Sequence, residues 1–286
     1  MNINWETGLY CLIGNPINKS LSPDIHNYFF KINNLNDIYL SFNVEEQNLE
    51  NLIMGLKSLN VKGFNVTIPH KIEIINYMDE ITKEAKLLGA VNTVINADGK
   101  LIGDNTDGKG FIKSLKDEKV KVEEKEVLII GAGGAAHAIS ISLAINGVKK
   151  ITILNRKKEK AKILKKKINE NFKDVIVNYD SITDFHTDVF NSDIVINCTS
   201  VGMYPNIEKT LVGLKNFKSK TVVCDIVYKP LKTKFLEIAE KDGLKTVNGI
   251  GMLVNQAVLS QKVWNNISEK NVEKCSEEIK GFLLNK

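Results

Sequence analysis

The chain has 286 residues, 43% of them hydrophobic and only 5 of them Pro, which suits two packed domains and excludes a disordered polymer. No apolar run approaches the ~18 residues of a membrane span, and the start, Met1-Asn2-Ile3-Asn4-Trp5-Glu6, lacks a secretion signal, so a cytoplasmic protein is expected. The net charge of +5 gathers in residues 157–168, where Ala161, Leu164 and Ile168 share one helical face and lysines fill the rest; without interleaved aromatics, this excludes a nucleic-acid or membrane partner and predicts a helix covering a sheet.

In chain order, Tyr10 to Ile13 predicts a strand, then a turn at Gly14-Asn15-Pro16 and a helix opening at Ser22-Pro23, with Ser as cap and Pro at the first helical position. Ile38 to Val44 predicts a second strand, and Leu49, Leu52, Ile53 and Leu56 a helix. Gly63 to Ile68 predicts a strand broken by Pro69; Val91 to Ile95 and Lys100 to Ile102 predict a hairpin around Asn96-Ala97-Asp98-Gly99. A second unit opens at Val127 to Ile130, and Ile151 to Leu154, Ile194 to Asn197 and Val222 to Asp225 repeat that buried-strand pattern. Strands alternating with helices predict an α/β fold with a doubly wound parallel sheet, and the chain turns helical after Gly251.

The four cysteines, Cys11, Cys198, Cys224 and Cys275, are scattered and predicted to be buried free thiols, and no Cys/His spacing suits zinc, so no metal is expected. Gly131-Ala132-Gly133-Gly134-Ala135 follows a predicted strand and opens a helix. Its glycines permit a tight turn and close approach of backbone to a pyrophosphate, which the helix N-terminus favours. At the end of the next strand, where an NAD site carries Asp or Glu, stand Asn155, Arg156 and Lys157. A carboxylate would repel a 2′-phosphate and Arg pairs with one, so NADP is the expected cofactor.

Three segments place polar residues where strands end: Asn65-Val66-Thr67-Ile68-Pro69-His70-Lys71, Gly89-Ala90-Val91-Asn92-Thr93 and Gly103-Asp104-Asn105-Thr106-Asp107-Gly108. A lysine and a carboxylate there suit acid–base work on a carbonyl. Asn and Asp beside Gly are also ordinary turn residues, and the residues alone leave both readings open.

Together with Ile13-Gly14-Asn15-Pro16, Ser20-Leu21-Ser22-Pro23, Asn197-Cys198-Thr199-Ser200-Val201-Gly202-Met203, Asp225-Ile226-Val227-Tyr228 and Gly251-Met252-Leu253-Val254-Asn255-Gln256, these segments resemble the shikimate dehydrogenase family nearly end to end. The resemblance implies NADP-dependent, metal-free reduction of 3-dehydroshikimate to shikimate in aromatic amino-acid biosynthesis. It implies Lys71 and Asp107 as the catalytic pair. Ser20 and Ser22 would hold the substrate carboxylate, with Asn65, Thr67, Asn92, Asp107, Tyr228 and Gln256 as further substrate contacts. Gly131, Ala132, Gly133, Gly134, Ala135, Asn155, Arg156, Lys157, Ile226 and Gly249 would bind the cofactor. It implies a substrate-binding domain of residues 1–107 and 252–286 around an NADP-binding Rossmann domain of residues 108–251, in a monomer or homodimer.

Lys19, Lys83 and Asn248 depart from the family's usual His, acidic residue and Asp. A quinate/shikimate dehydrogenase of broader substrate or NAD specificity is the alternative; the basic run after Asn155 argues against it.

Overall fold

The computed structural model describes residues 3–18, 20–183, 187–211 and 216–286. Contacts divide the chain into two compact units, residues 1–106 with 254–286 and residues 107–253.

The first unit opens with strand β1 (Gly8–Gly14), helix α1 (Ser22–Ile32) and strand β2 (Asp37–Asn43), followed by α2 (Leu49–Ser58) and β3 (Gly63–Val66). After a short 3-10 turn at Glu73–Tyr77 come β4 (Glu80–Ile81), α3 (Lys83–Leu88), and the hairpin of β5 (Thr93–Ala97) and β6 (Lys100–Asp104). The sheet order is β2-β1-β3-β5-β6-β4. β1 pairs in parallel with β2 and β3, whereas β5 runs antiparallel to β3 and β6. The hairpin turns at Asp98 and Gly99, with φ of 52° and 87°, the left-handed values that Asp-Gly supplies at low cost. Tyr10, Cys11, Leu12 and Ile13 are all buried, as a strand covered on both faces requires.

One local expectation is corrected. Ser22 is not the cap of α1 but its first residue; Leu21 caps without a side-chain hydrogen bond, and Pro23 lies in the first turn. With the capping role empty, the Ser22 hydroxyl turns instead to Ser20.

The second unit comprises α4 (Asp107–Asp117), β7 (Glu126–Ile130), α5 (Gly134–Ile145), β8 (Lys150–Asn155), α6 (Lys158–Asn171) and β9 (Ile176–Ser181). It continues through β10 (Ile194–Asn197), β11 (Val222–Asp225), α7 (Lys234–Lys241), β12 (Lys245–Val247) and the start of α8 (Gly249–Asn265). The remainder of α8 and α9 (Glu269–Leu284) belong to the first unit. The sheet order β12-β11-β10-β7-β8-β9 is parallel throughout and matches the doubly wound dinucleotide-binding arrangement, which reverses between its first and fourth strands. Those are β7 and β10. Ala161, Leu164 and Ile168 of α6 are fully buried, so the lysine-rich segment is the sheet-covering helix its spacing predicts. All four cysteines are free and buried.

Candidate active site

In the first unit, three of the expected substrate residues meet in one hydrogen-bond network. Asn65, at the buried end of β3, donates from Nδ2 to the Asn92 carbonyl at 3.0 Å and to Thr93 Oγ1 and Ser260 Oγ at 3.1 Å each. Its Oδ1 accepts from Tyr39 Oη at 2.8 Å. Asn92 Oδ1 accepts from the Thr106 N–H at 2.9 Å and from the Thr93 hydroxyl at 2.9 Å. Asn92 Nδ2 donates to Thr106 Oγ1 at 3.1 Å and to Gln256 Oε1 on α8 at 3.4 Å. Tyr39, Thr93, Thr106 and Ser260 are each at most 1% exposed; Thr93 and Thr106 lie in the polar segments the sequence marks out, without a role of their own there, whereas nothing in the sequence marks Tyr39 or Ser260. The alternation of β2 sets Ile38, Leu40 and Phe42 on one face and Tyr39 with Asp37 and Ser41 on the other, so it gives no sign that Tyr39 is buried.

Ser20 and Ser22 pair: Ser20 Oγ donates to Ser22 Oγ at 3.2 Å and accepts from the Ser22 N–H at 3.2 Å. The two hydroxyls thus stand together at the start of α1. Thr67 and Lys71, both half-buried, flank the turn that follows β3. That turn is held by the Thr67 N–H donating to the Ile13 carbonyl at 2.9 Å and the Val91 N–H to the Lys71 carbonyl at 2.8 Å. Between them, His70 is buried with Nε2 at 2.8 Å from the Val44 carbonyl. Its side chain therefore serves the turn.

The Gly103–Gly108 segment divides its labour. Asp104 accepts from Thr82 Oγ1 at 2.6 Å, and Asn105 donates to the Ala90 carbonyl at 3.0 Å; both are turn-holding residues. Asp107, half-buried, is the first residue of α4 and follows Thr106 directly. Lys83 is exposed at the start of α3. Asn248 accepts the Ile250 N–H at 3.2 Å and so caps the start of α8. Lys19 lies outside the described residues.

In the second unit, Gly131 has φ 116°, and a Cβ there would stand 3.0 Å from the Cys198 carbonyl oxygen. Glycine is required both for the angle and for the approach. Ala132 is buried and Ala135 half-buried, while Gly133 and Gly134 are exposed with open space where a Cβ would project. That space adjoins the free N–H groups of α5, an anion-binding position. No carboxylate caps or occupies the first turn of α5. At the end of β8, Asn155 Nδ2 donates to the Lys157 carbonyl at 2.8 Å, and Arg156 and Lys157 are exposed. His137, one turn into α5, is pushed down to about 4 by burial and by the Lys167 ammonium, so it is neutral at pH 7. These groups fit the pyrophosphate and 2′-phosphate of NADP.

Beyond β11, Asp225 organises the loop carrying Ile226 and Tyr228. It accepts from Asn197 Nδ2 at 2.9 Å, the Val227 N–H at 2.9 Å and Thr233 Oγ1 at 2.6 Å. Burial raises its carboxyl to about 6 despite the three donors. Burial likewise raises the Tyr228 phenol above its ordinary value. Gly249 packs so closely that any Cβ would overlap the Ile226 carbonyl. Among the described residues, no helix is long and apolar enough to cross a membrane, and no three His, Cys, Asp or Glu side chains gather as metal ligands.

Comparison with known proteins covers both units. The profile of the shikimate dehydrogenase substrate binding domain matches residues 12–94, and that of shikimate / quinate 5-dehydrogenase matches residues 114–229. A shikimate dehydrogenase (NADP(+)) of Alkaliphilus oremlandii is 46% identical over 266 residues, 92% of this chain and 93% of its own. A crystal structure of a shikimate dehydrogenase in complex with NADP+ superposes with a TM-score of 0.90 at 43% identity, covering 97% of this chain and 96% of that one. The Listeria monocytogenes shikimate 5-dehydrogenase, in complex with shikimate and NAD, gives 0.91 at 38% identity and 98% of both chains. With a doubly wound nucleotide-binding sheet in one unit, a polar network at the strand ends of the other, and relatives aligned across both, the chain belongs to the shikimate dehydrogenase family of NADP-dependent oxidoreductases.

Proposed function

We propose that this chain is an NADP-dependent shikimate dehydrogenase, interconverting 3-dehydroshikimate and shikimate for aromatic amino-acid biosynthesis. The observation that carries the reading is the hydrogen-bonded cluster of Asn65, Asn92 and Gln256. It presents ordered amides at strand ends, where an apolar pocket would serve a polyhydroxylated ring poorly. Ser20 and Ser22 supply paired hydroxyls for the ring carboxylate. The basic end of β8, Asn155-Arg156-Lys157, takes the 2′-phosphate, and the Gly131–Ala135 loop takes the pyrophosphate.

Bound NADPH supplies a hydride to the ring carbonyl carbon. Lys71 donates a hydrogen bond to the carbonyl oxygen and stabilises the charge that grows there as the C=O bond becomes C–O. Asp107 acts with Lys71 as the second acid–base group. A proton then completes the alcohol, so hydride and proton together account for the two hydrogens gained.

The decisive assay measures NADP reduction with shikimate and with quinate. Shikimate should be turned over, and absence of turnover overturns the assignment. Lys71→Ala should fold, bind NADP normally and lose ~10²–10⁴ in kcat, the usual worth of general acid–base help. Its KM for shikimate should change far less, because the interaction strengthens only in the transition state. Near-wild-type kcat would remove Lys71 from the mechanism.

A further inference from the structure

The network around Asn92 has a fixed polarity, set at both ends by backbone groups. The Thr106 N–H can only donate, so Asn92 must face it with Oδ1; Nδ2 is then the atom turned to Gln256. The Asn92 carbonyl can only accept, so Asn65 must face it with Nδ2, and Oδ1 is left to the Tyr39 hydroxyl. An amide held this way cannot flip without leaving a buried donor facing a donor.

Between the two amides stand the hydroxyls of Thr93, Thr106 and Ser260, with oxygens 2.8–3.4 Å apart. Ser260 is completely buried on α8. Its hydroxyl donates to the Gln256 carbonyl one turn back, at 3.0 Å. A serine has one proton, and the Thr93 proton goes to Asn92 Oδ1, so the Ser260 oxygen is left to accept, from Asn65 Nδ2 at 3.1 Å and from the Thr106 hydroxyl at 3.3 Å. Ser260 thereby ties α8, at the turn that carries Gln256, to β3 and to the segment that follows β6. A serine bonded to the carbonyl four residues back is otherwise neutral to unfavourable in a helix.

We propose that Ser260 is a positioning residue for substrate recognition. It holds Gln256 against Asn92, so that Gln256 commits its Oε1 inward and offers the Nε2–H donor to a hydroxyl oxygen of the bound ring. This rests on the functional reading above, and makes substrate affinity depend on a buried hydroxyl that is assigned no contact with substrate itself.

The test is a double-mutant cycle of Ser260→Ala and Gln256→Ala, assayed with shikimate and NADP. Ser260→Ala should raise the KM for shikimate about 5- to 10-fold, the equivalent of one net hydrogen bond. Its kcat should stay within about threefold and its KM for NADP unchanged, which a general loosening of the fold would not produce. On the Gln256→Ala background, the same substitution should have no further effect, since what Ser260 positions is gone. A wild-type KM in Ser260→Ala, or effects that multiply in the double variant, overturns the proposal. Should Ser260→Ala fail to fold, Ser260→Cys, which nearly keeps the volume and weakens the donor, carries the same cycle. Failure of the wild-type chain to turn over shikimate would instead defeat the functional reading.

Discussion

The two units prepare for their ligands by opposite means. In the first, side chains from β2, β3, β5, the β6–α4 connection and α8 converge, and partners as distant as Asn65 and Ser260 lie 195 residues apart. In the second, the peptide backbone does the work: Gly131 at φ 116° brings the chain under the α5 N-terminus within five residues of sequence. A site made of side chains can discriminate among hydroxyls but depends on many distant positions. A site made of backbone recognises a common phosphate group and depends on few.

Acid should separate the units most widely. His26 in the first unit is completely buried, stacked on Tyr39 with ring centroids 4.2 Å apart, and burial pushes its imidazole down to about 3. A depressed folded value means that the unfolded chain binds the proton first. The stability His26 contributes is therefore present above pH 6.5 and lost as pH falls towards 3, by roughly 3–5 kcal/mol. Asp225 in the second unit acts in the other direction. Its folded value, raised to about 6, means stability present below the ordinary carboxylate value and lost as pH rises through 6, by about 3 kcal/mol. Trp264, which donates to the Val94 carbonyl at 2.9 Å and lies 5.4 Å from the His26 ring, reports the first unit. Its fluorescence transition in urea should move to lower urea as pH drops from 6.5 to 4. In His26→Phe that dependence should flatten; an unchanged pH slope would remove His26 from the account.

Cofactor preference should break the second unit's function alone. On the proposed pairing of Arg156 with the 2′-phosphate, its loss should cost ~1.5–3 kcal/mol, so Arg156→Ala should lower kcat/KM for NADP roughly 10- to 150-fold. Its efficiency with NAD and its KM for shikimate should hardly change. Wild-type efficiency with NADP should exceed that with NAD by at least about tenfold, and equal values would refute the role of the basic strand end. Smallest, and confined to the first unit, are Ser20→Ala and Ser22→Ala. Each should raise the KM for shikimate about 5- to 30-fold, the equivalent of about 1–2 kcal/mol, with kcat nearly intact, because a carboxylate contact is made equally in ground and transition states. A double variant with wild-type KM would put the carboxylate elsewhere.

The same contrast explains what was legible in sequence. The strands of the second sheet were readable because β7, β10 and β11 carry largely buried apolar runs of four, three and three residues, and the glycine loop because its chemistry is local. The edge strands β9 and β12 escaped notice: β9 mixes Asn178, Tyr179 and Asp180 into a half-exposed segment, and β12 has only three residues. In the first unit, Asn65 and Asn92 stood out as polar residues at strand ends. Their supports did not, since a threonine after an asparagine or a serine in an apolar helix carries no mark of what it will meet. The cap of α1 was misread for a related reason. Ser22-Pro23 has the composition of a helix start, but Ser20 forms a local serine turn with Ser22, accepting its N–H and donating to its hydroxyl, and the helix begins at Ser22 with no side-chain cap.

The discontinuity of the first unit has a consequence for synthesis. Residues 107–253 make a unit of their own, whereas residues 1–106 share theirs with 254–286. A ribosome has therefore translated every residue of the nucleotide-binding unit before Ser260 exists. Until then Asn65, Thr93 and Thr106 have no helix to bond to, and the emerging β1–β6 sheet lacks the cover of α8 and α9. Domains generally complete in order from the N-terminus; here the first-made segment is the last to be finished, and the hydroxyl that closes its polar core arrives at the end.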